Sequence, residues 1–358
     1  VAGIGAAEAA PVTGSRTRLD LATGLLTGVT GRVSGLALAA VALACACALS
    51  VLVGSYPVSV SEAVSALTAP SGGDIERIVW DVRVPRTITG LLAGVALGVA
   101  GAVMQGLTRN PLAGPGILGI NAGASFAVVV AMTVFGVSAL PGYLWFAFAG
   151  AAVSALFVYT LGSLGGGGAT PVKLALAGAA FTALVDSVTT GITLLDAATL
   201  NDFRFWVVGS LTRADSAQLL TVTPFLLVGV LLAMAVSREL NLVALGDDMA
   251  RSLGTRLVVT RLLAAVAVML LAGAATAVAG PIGFVGLVVP HVARALSGPD
   301  YRWIMPWCVL LAPTALLLAD VLGRILIQPE QLQVGIVMGV VGAPFFLYLV
   351  RNRTVAQL

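Results

Sequence analysis

The chain has 358 residues, of which 59% are hydrophobic and only 10% charged, with a mean hydropathy of +1.04. A soluble domain carries about a quarter of its residues as charges, so this composition excludes one and points to a polytopic, all-α membrane protein. The formal net charge of +3 is uninformative by itself; where the charges fall matters more, and no nucleic-acid partner is expected.

Residues 1–33 are rich in Ala, Gly, Thr and Ser and read as a flexible cytoplasmic tail. The first long apolar run begins late and is long enough to span, which argues against a cleaved signal peptide. Candidate spans follow at 36–54, 87–106, 116–136, 143–162, 173–196, 217–236, 257–279, 281–296, 304–323 and 332–350. Each approaches the roughly 20 residues that cross a bilayer, the eighth being the shortest. Ten spans put both termini on one side. With that side cytoplasmic, only Arg77, Arg83, Arg86, Arg204, Arg213 and Arg324 of the 19 Lys and Arg residues fall outside, in line with the positive-inside rule. Residues 34–353 read as one transmembrane domain. Cys45, Cys47 and Cys308 lie in apolar runs without metal or disulfide spacing and read as small packing residues.

The second span carries Gly90, Gly94 and Gly98 at intervals of four, then Gly101; the tenth carries Gly335, Gly339 and Gly342. Such stripes let a neighbouring helix approach closely. Between spans two and three, Gln105–Gly116 holds Pro111, Gly114 and Pro115, which forbid regular helix. Irregular backbone at the membrane edge needs protein or a water-filled cavity beside it, so this connector is a gate or a tight turn. The connector Gly165–Pro171, on the same side, is also flexible in composition.

Span five is the most polar. Thr182, Asp186, Thr189 or Thr190, and Thr193 recur at helical spacing and mark one face. An intramembrane carboxylate faces a cavity or a partner, so Asp186 either lines a pathway or is a buried acid satisfied by neighbouring hydroxyls. Asp320 has Arg324 four residues on, the spacing of a helical ion pair. His291 is the sole histidine and reads as structural; with no second ligand beside it, no metal site is expected.

Leu245–Gly254 is a charged, helix-compatible island between spans six and seven. Asp247 and Asp248 come first and Arg251 later, the order a helix dipole favours, with Gly246 and Gly254 punctuating the ends. It is an ordinary interfacial helix or a handle that another protein grips. The chain carries no Gly-x-x-x-x-Gly-Lys-[Ser/Thr] loop, no catalytic triad and no metal cluster. No catalytic residue and no bound cofactor are expected, and energy must come from a gradient or a partner.

Several motifs resemble the FecCD-type permeases of ATP-binding-cassette importers, which carry iron–siderophores, haem or vitamin B12. They are Val82-Arg-Val-Pro-Arg86, Gln105 with Asn110-Pro-Leu-Ala-Gly-Pro115, Leu118-Gly119, Leu245–Gly254, Gly280–His291 with Arg294, Leu318-Ala-Asp320 with Arg324, and Gly342-Ala-Pro-Phe345. The resemblance covers about residues 40–353. It implies a ten-span type II importer subunit, paired with a second permease of like or unlike sequence around a central pathway in the cytoplasmic membrane. It further implies a coupling helix formed by Leu245, Gly246, Asp247, Asp248, Met249, Ala250, Arg251, Ser252, Leu253 and Gly254, seated in a cytoplasmic ATPase dimer that uses ATP and Mg. Arg83, Arg86 and Arg324 match positions where outward arginines meet acidic knobs of an extracytoplasmic substrate-binding protein. Asn110 and Leu112 match an inner gate, and Thr170 and Pro171 a second gate segment in which this chain departs from the small hydroxyl residues usual there. Thr182, Asp186, Thr189 and Thr193 are the candidates for the pathway.

A pathway poor in His, Cys and carboxylate suits a bulky chelate better than a naked metal ion. An iron–siderophore is the expected cargo, with vitamin B12 or haem as alternatives of the same family. The alternative of another class is a gradient-driven secondary transporter using Asp186, which would need intramembrane charge partners and broken helices in matching halves.

Overall fold

The computed structural model describes residues 24–26, 28–68, 72–137, 140–165, 170–212, 215–328 and 330–352, and the regular structure among them is helical. In chain order the helices are α1 (Gly28–Leu52), α2 (Val60–Thr68), α3 (Asp74–Arg77), α4 (Val84–Thr108), α5 (Ile120–Phe135), α6 (Leu140–Ser163), α7 (Pro171–Leu195) and α8 (Ala197–Val207). They continue with α9 (Ser216–Ala235), α10 (Ser237–Ala244), α11 (Asp247–Ser252), α12 (Leu257–Ala279), α13 (Val285–Ser297), α14 (Tyr301–Leu326) and α15 (Val334–Asn352). A π-helical stretch, Ile78–Arg83, joins α3 to α4 without a break.

Each expected apolar run is helical over most of its length. Among the described residues, seven helices are long and apolar enough to cross a membrane, and three more, Ile120–Phe135, Val285–Ser297 and Val334–Tyr348, are apolar but shorter. The shortening has local causes. Residues before α5 form a 3-10 turn, Pro115–Leu118, ended by Gly119 at φ 67°, so helix starts later than hydropathy alone suggests. Likewise Gly280, Pro281 and Gly283 keep the start of the eighth run out of helix, and α13 begins only after Phe284 at φ 66°.

The expected N-terminal tail also needs correction. Helix α1 begins inside it, at Gly28. Just before, the Leu25 and Leu26 amides donate to the Ala295 and Leu296 carbonyls at the end of α13. Residues 1–23 lie outside the described part.

Burial separates centre from rim. The apolar window of Asp74–Thr108 is 78% buried, against 17% for α1 and for α7. Helix α4 is the central post, packed by α9, α12, α13 and α14. Its glycines explain how. A Cβ on Gly94 would stand 2.4 Å from the Pro313 Cα of α14, and one on Gly101 only 1.8 Å from the Gly286 carbonyl oxygen of α13. Hydrophobicity does not drive association inside lipid, so close backbone approach and the dispersion contact it permits hold this centre together. The stripe on α15 divides: Gly335 packs against the Val208 carbonyl and Gly342 against Phe284, whereas Gly339 faces open space.

Candidate coupling and gating site

Two short helices lie between α9 and α12: α10 precedes the Leu245–Gly254 island, and α11 forms inside it. Gly246, at φ 103°, turns the chain between α10 and α11 in a conformation that L side chains rarely adopt. The Ala250 amide bonds back to the Gly246 carbonyl to start α11; the Gly254 and Thr255 amides close it on Arg251 and Ala250. One face is fixed: Ala250 is buried with Val243 and Leu257, and Leu242 covers them. Apolar side chains around α11 are open: Leu245 just before it is 62% exposed, Met249 within it 53% and Leu253 at its end 54%. Arg251 pairs with Asp248 at 3.1 Å on the surface, a contact that contributes little. Helix α10 is anchored separately. Asn241 donates to Asp300 at 2.6 Å and accepts from the Tyr301 amide at 2.9 Å. Burial alone would raise the Asp300 carboxyl, but hydrogen bonds from Arg302 and Asn241 outweigh it and hold it below its usual range.

Asp247 faces inward. One carboxylate oxygen accepts from the Arg109 guanidinium, and the other from Arg261 of α12 at 2.7 Å. Arg109 caps α4 in the left-handed region, at φ 50° and ψ 30°. The next residue, Asn110, is exposed, and its side-chain oxygen accepts the Leu112 amide at 2.9 Å, shaping the turn that leads to Pro115–Leu118. Behind that turn α4 is held firmly. Gln105 donates to the Leu287 carbonyl at 3.2 Å and accepts from Arg294 at 3.1 Å.

Thr170 caps α7, its hydroxyl accepting the Lys173 amide at 3.4 Å, with Pro171 at the first helical position. Residues 166–169 lie outside the described part. Among the described residues no hydrogen bond joins Thr170 to Asn110 or Leu112, but α7 touches the same connector through Gly178: a Cβ there would stand 1.8 Å from the Ile117 carbonyl oxygen. Only the folded chain identifies Gly178, because the two glycines of α7, Gly178 and Gly191, are too far apart to carry a spacing signal.

The polar residues of α7 do not share one surface. Thr189 and Thr193 are each 5% exposed, and their hydroxyls donate to the Val185 and Thr190 carbonyls of their own helix. Thr182 is half-buried, while Asp186 is exposed beside Ser187 and Thr190. Among the described residues no hydrogen bond or ion pair to Asp186 is present, so the reading of a satisfied buried acid does not hold.

The expected outward arginines are the clearest correction. Arg83, Arg86 and Arg324 are 4%, 6% and 1% exposed. Arg86 grips Asp320 with two bonds of 2.9 and 2.8 Å and donates to Gln331 at 2.6 Å. Arg324 also binds Asp320 and donates to the Ser50 and Val53 carbonyls at 2.6 and 2.7 Å. Arg83 donates to the Val51, Leu52 and Tyr56 carbonyls. Arg83 and Arg324 satisfy the orphan carbonyls at the end of α1, where a helix dipole favours cations, while Arg86 binds Asp320 and Gln331. They are internal fastenings among α1, α4 and α14 and offer no exposed docking surface. The Asp320–Arg324 pair expected from spacing is present.

Residues 41–352 match the FecCD transport family. The chain is 46% identical over 307 residues to the ferric enterobactin transport system permease protein FepD of Escherichia coli (strain K12), covering 86% of this chain and 92% of that one. It is 40% identical to the Fe(3+)-citrate import system permease protein YfmD of Bacillus subtilis (strain 168), covering 85% and 90%, and 38% identical to the hemin transport system permease protein HmuU of Yersinia pestis, covering 77% and 84%. A solved structure described as an inward-facing, metal-chelate type ABC transporter superposes with a TM-score of 0.79 at 27% identity, covering 90% of this chain and all of that one.

Proposed function

The chain belongs to the FecCD transport family, and from that premise we propose that it is the transmembrane permease subunit of an ATP-binding-cassette importer for ferric siderophores. The observation that carries the reading is the two-sided island. An apolar face of Leu245, Met249 and Leu253 is left open while the opposite side is fastened to α4 and α12. A lone surface helix would bury such a face or replace it with polar residues; a handle leaves it for a partner.

In this reading α10 and α11 sit in a groove of a separate cytoplasmic ATPase, and a second permease subunit completes the pathway in the cytoplasmic membrane, with both termini inside. ATP binding moves the handle, the helices rock, and the turn at Asn110–Leu112 opens toward the cytoplasm. The exposed flank of α7 that carries Asp186 faces the pathway between subunits, where a carboxylate meets water more cheaply than lipid. Docking of an extracytoplasmic binding protein falls to exposed residues other than Arg83, Arg86 and Arg324.

Uptake in a strain lacking this gene tests the reading. Iron-labelled enterobactin, ferric citrate and haemin are supplied separately, with and without a protonophore at constant ATP. ATP-dependent loss of one ferric siderophore is the expected result. Loss of haemin uptake alone moves the cargo to haem, and uptake that collapses with the proton gradient at constant ATP revives a secondary transporter working through Asp186.

A further inference from the structure

We propose that Arg109 is a positioning residue that transmits movement of α11 to the turn at Asn110–Leu112. The proposal rests on the importer reading above and names the contact through which the handle reaches the gate. Asp247 joins two elements. Its two carboxylate oxygens hold arginines from two different elements, Arg109 at the end of α4 and Arg261 in α12. The Arg261 arm fastens α11 to the helix that follows it in the chain. The Arg109 arm reaches 138 residues back, to the residue immediately before the gate turn.

The position of Arg109 decides what that second arm can move. From Ala96 to Thr108, α4 is buried, and it is held by Gln105 against Leu287 and Arg294. From Arg109 onward the chain leaves regular helix, and exposure begins. A displacement of α11 therefore cannot be absorbed by α4 and must appear in the turn beyond it. Arg109 already holds a positive φ, which an arginine adopts rarely. Asn110 then fixes the turn locally through its bond to the Leu112 amide. The tie, the bend and the first gate residue are consecutive along the chain. A merely decorative ion pair would have no such placement, and a half-exposed one would contribute little by itself.

The experiment uses the complete importer, with its ATPase, in liposomes. Cys45, Cys47 and Cys308 are replaced by alanine, and Leu112→Cys supplies a single site for a membrane-impermeant maleimide. The readouts are the change in labelling rate when a non-hydrolysable ATP analogue binds, and the rate of ATP hydrolysis. Arg109→Met should shrink the nucleotide-dependent change about tenfold, the scale of one charge-assisted hydrogen bond, with hydrolysis within about twofold of the parent. Arg109→Lys keeps the charge and should retain most of the response. Arg261→Met breaks only the other arm and should lower the response by no more than about twofold. A full response in Arg109→Met overturns the proposal. So does an equal loss in Arg261→Met, which would make the pair general fastening, or a loss of labelling response and hydrolysis in the same proportion. A parent complex in which ATP hydrolysis never couples to the turn sinks the importer reading itself, and this proposal with it.

Discussion

Arg86 grips Asp320 through both carboxylate oxygens, at 2.9 and 2.8 Å, across 234 residues of sequence. The pair joins α4 to α14, and Arg324 on the same carboxylate extends the joint to the end of α1. Asp320→Ala would leave Arg86 and Arg324 buried without an anion. Breaking one side of a buried pair costs about 3–5 kcal/mol, so thermal unfolding in detergent should fall sharply. A melting point unchanged from the parent would show that the carbonyl bonds alone hold this joint.

The open face of the handle predicts the opposite pattern. Met249→Glu combined with Leu253→Glu loses only the weak 3.7 Å contact from the exposed Ser252 hydroxyl to the Met249 sulfur, so stability should move by no more than about 0.5 kcal/mol. Burying each apolar side chain in a partner contributes about 1.5–3 kcal/mol, and capture of the ATPase should weaken by at least tenfold. Pull-down of the ATPase from purified components reads this directly, and undiminished capture would remove the handle assignment.

Two glycines separate packing from pattern. Gly101→Ala places a methyl group 1.8 Å from the Gly286 carbonyl oxygen, where backbone has to shift, at a cost of about 3 kcal/mol. Gly339→Ala enters open space within this subunit and should raise helix stability by roughly 1 kcal/mol or less. Thermal unfolding of the two variants in the same detergent should order them on opposite sides of the parent. Equal effects would mean that the central post is looser than its contacts indicate.

Asp186 has no partner to lose among the described residues. Asp186→Asn keeps size and hydrogen-bonding capacity, so folding and ATP-driven uptake should both persist within about twofold. Abolished uptake in a variant that still folds would assign the carboxylate a charge-dependent step.

Much of this protein was legible along the chain. Apolar runs of bilayer length set the class, because a lipid-spanning backbone must satisfy its own hydrogen bonds and only a few element types can. Glycine spacing on α4 marked a close-packed face, since small residues on one helical stripe have few other uses there. Charge order and punctuating glycines marked the 245–254 island, and one family's motifs ran through most of the chain.

Helical period tells which residues share a face, but not what that face meets. That limit explains what only the tertiary structure decided. Arg83 and Arg86 looked outward because they stand before an apolar span, yet the frayed carbonyls of α1 and the Asp320 carboxylate lie close enough to draw them in. The polar residues of α7 looked like one stripe, yet its neighbours cover Thr189 and Thr193 and leave Asp186 open. Asp247 and Arg109 are 138 residues apart, and no spacing rule joins them. Their contact exists because α4 ends where α11 begins, a meeting set by how helices pack and not by any residue's local preference.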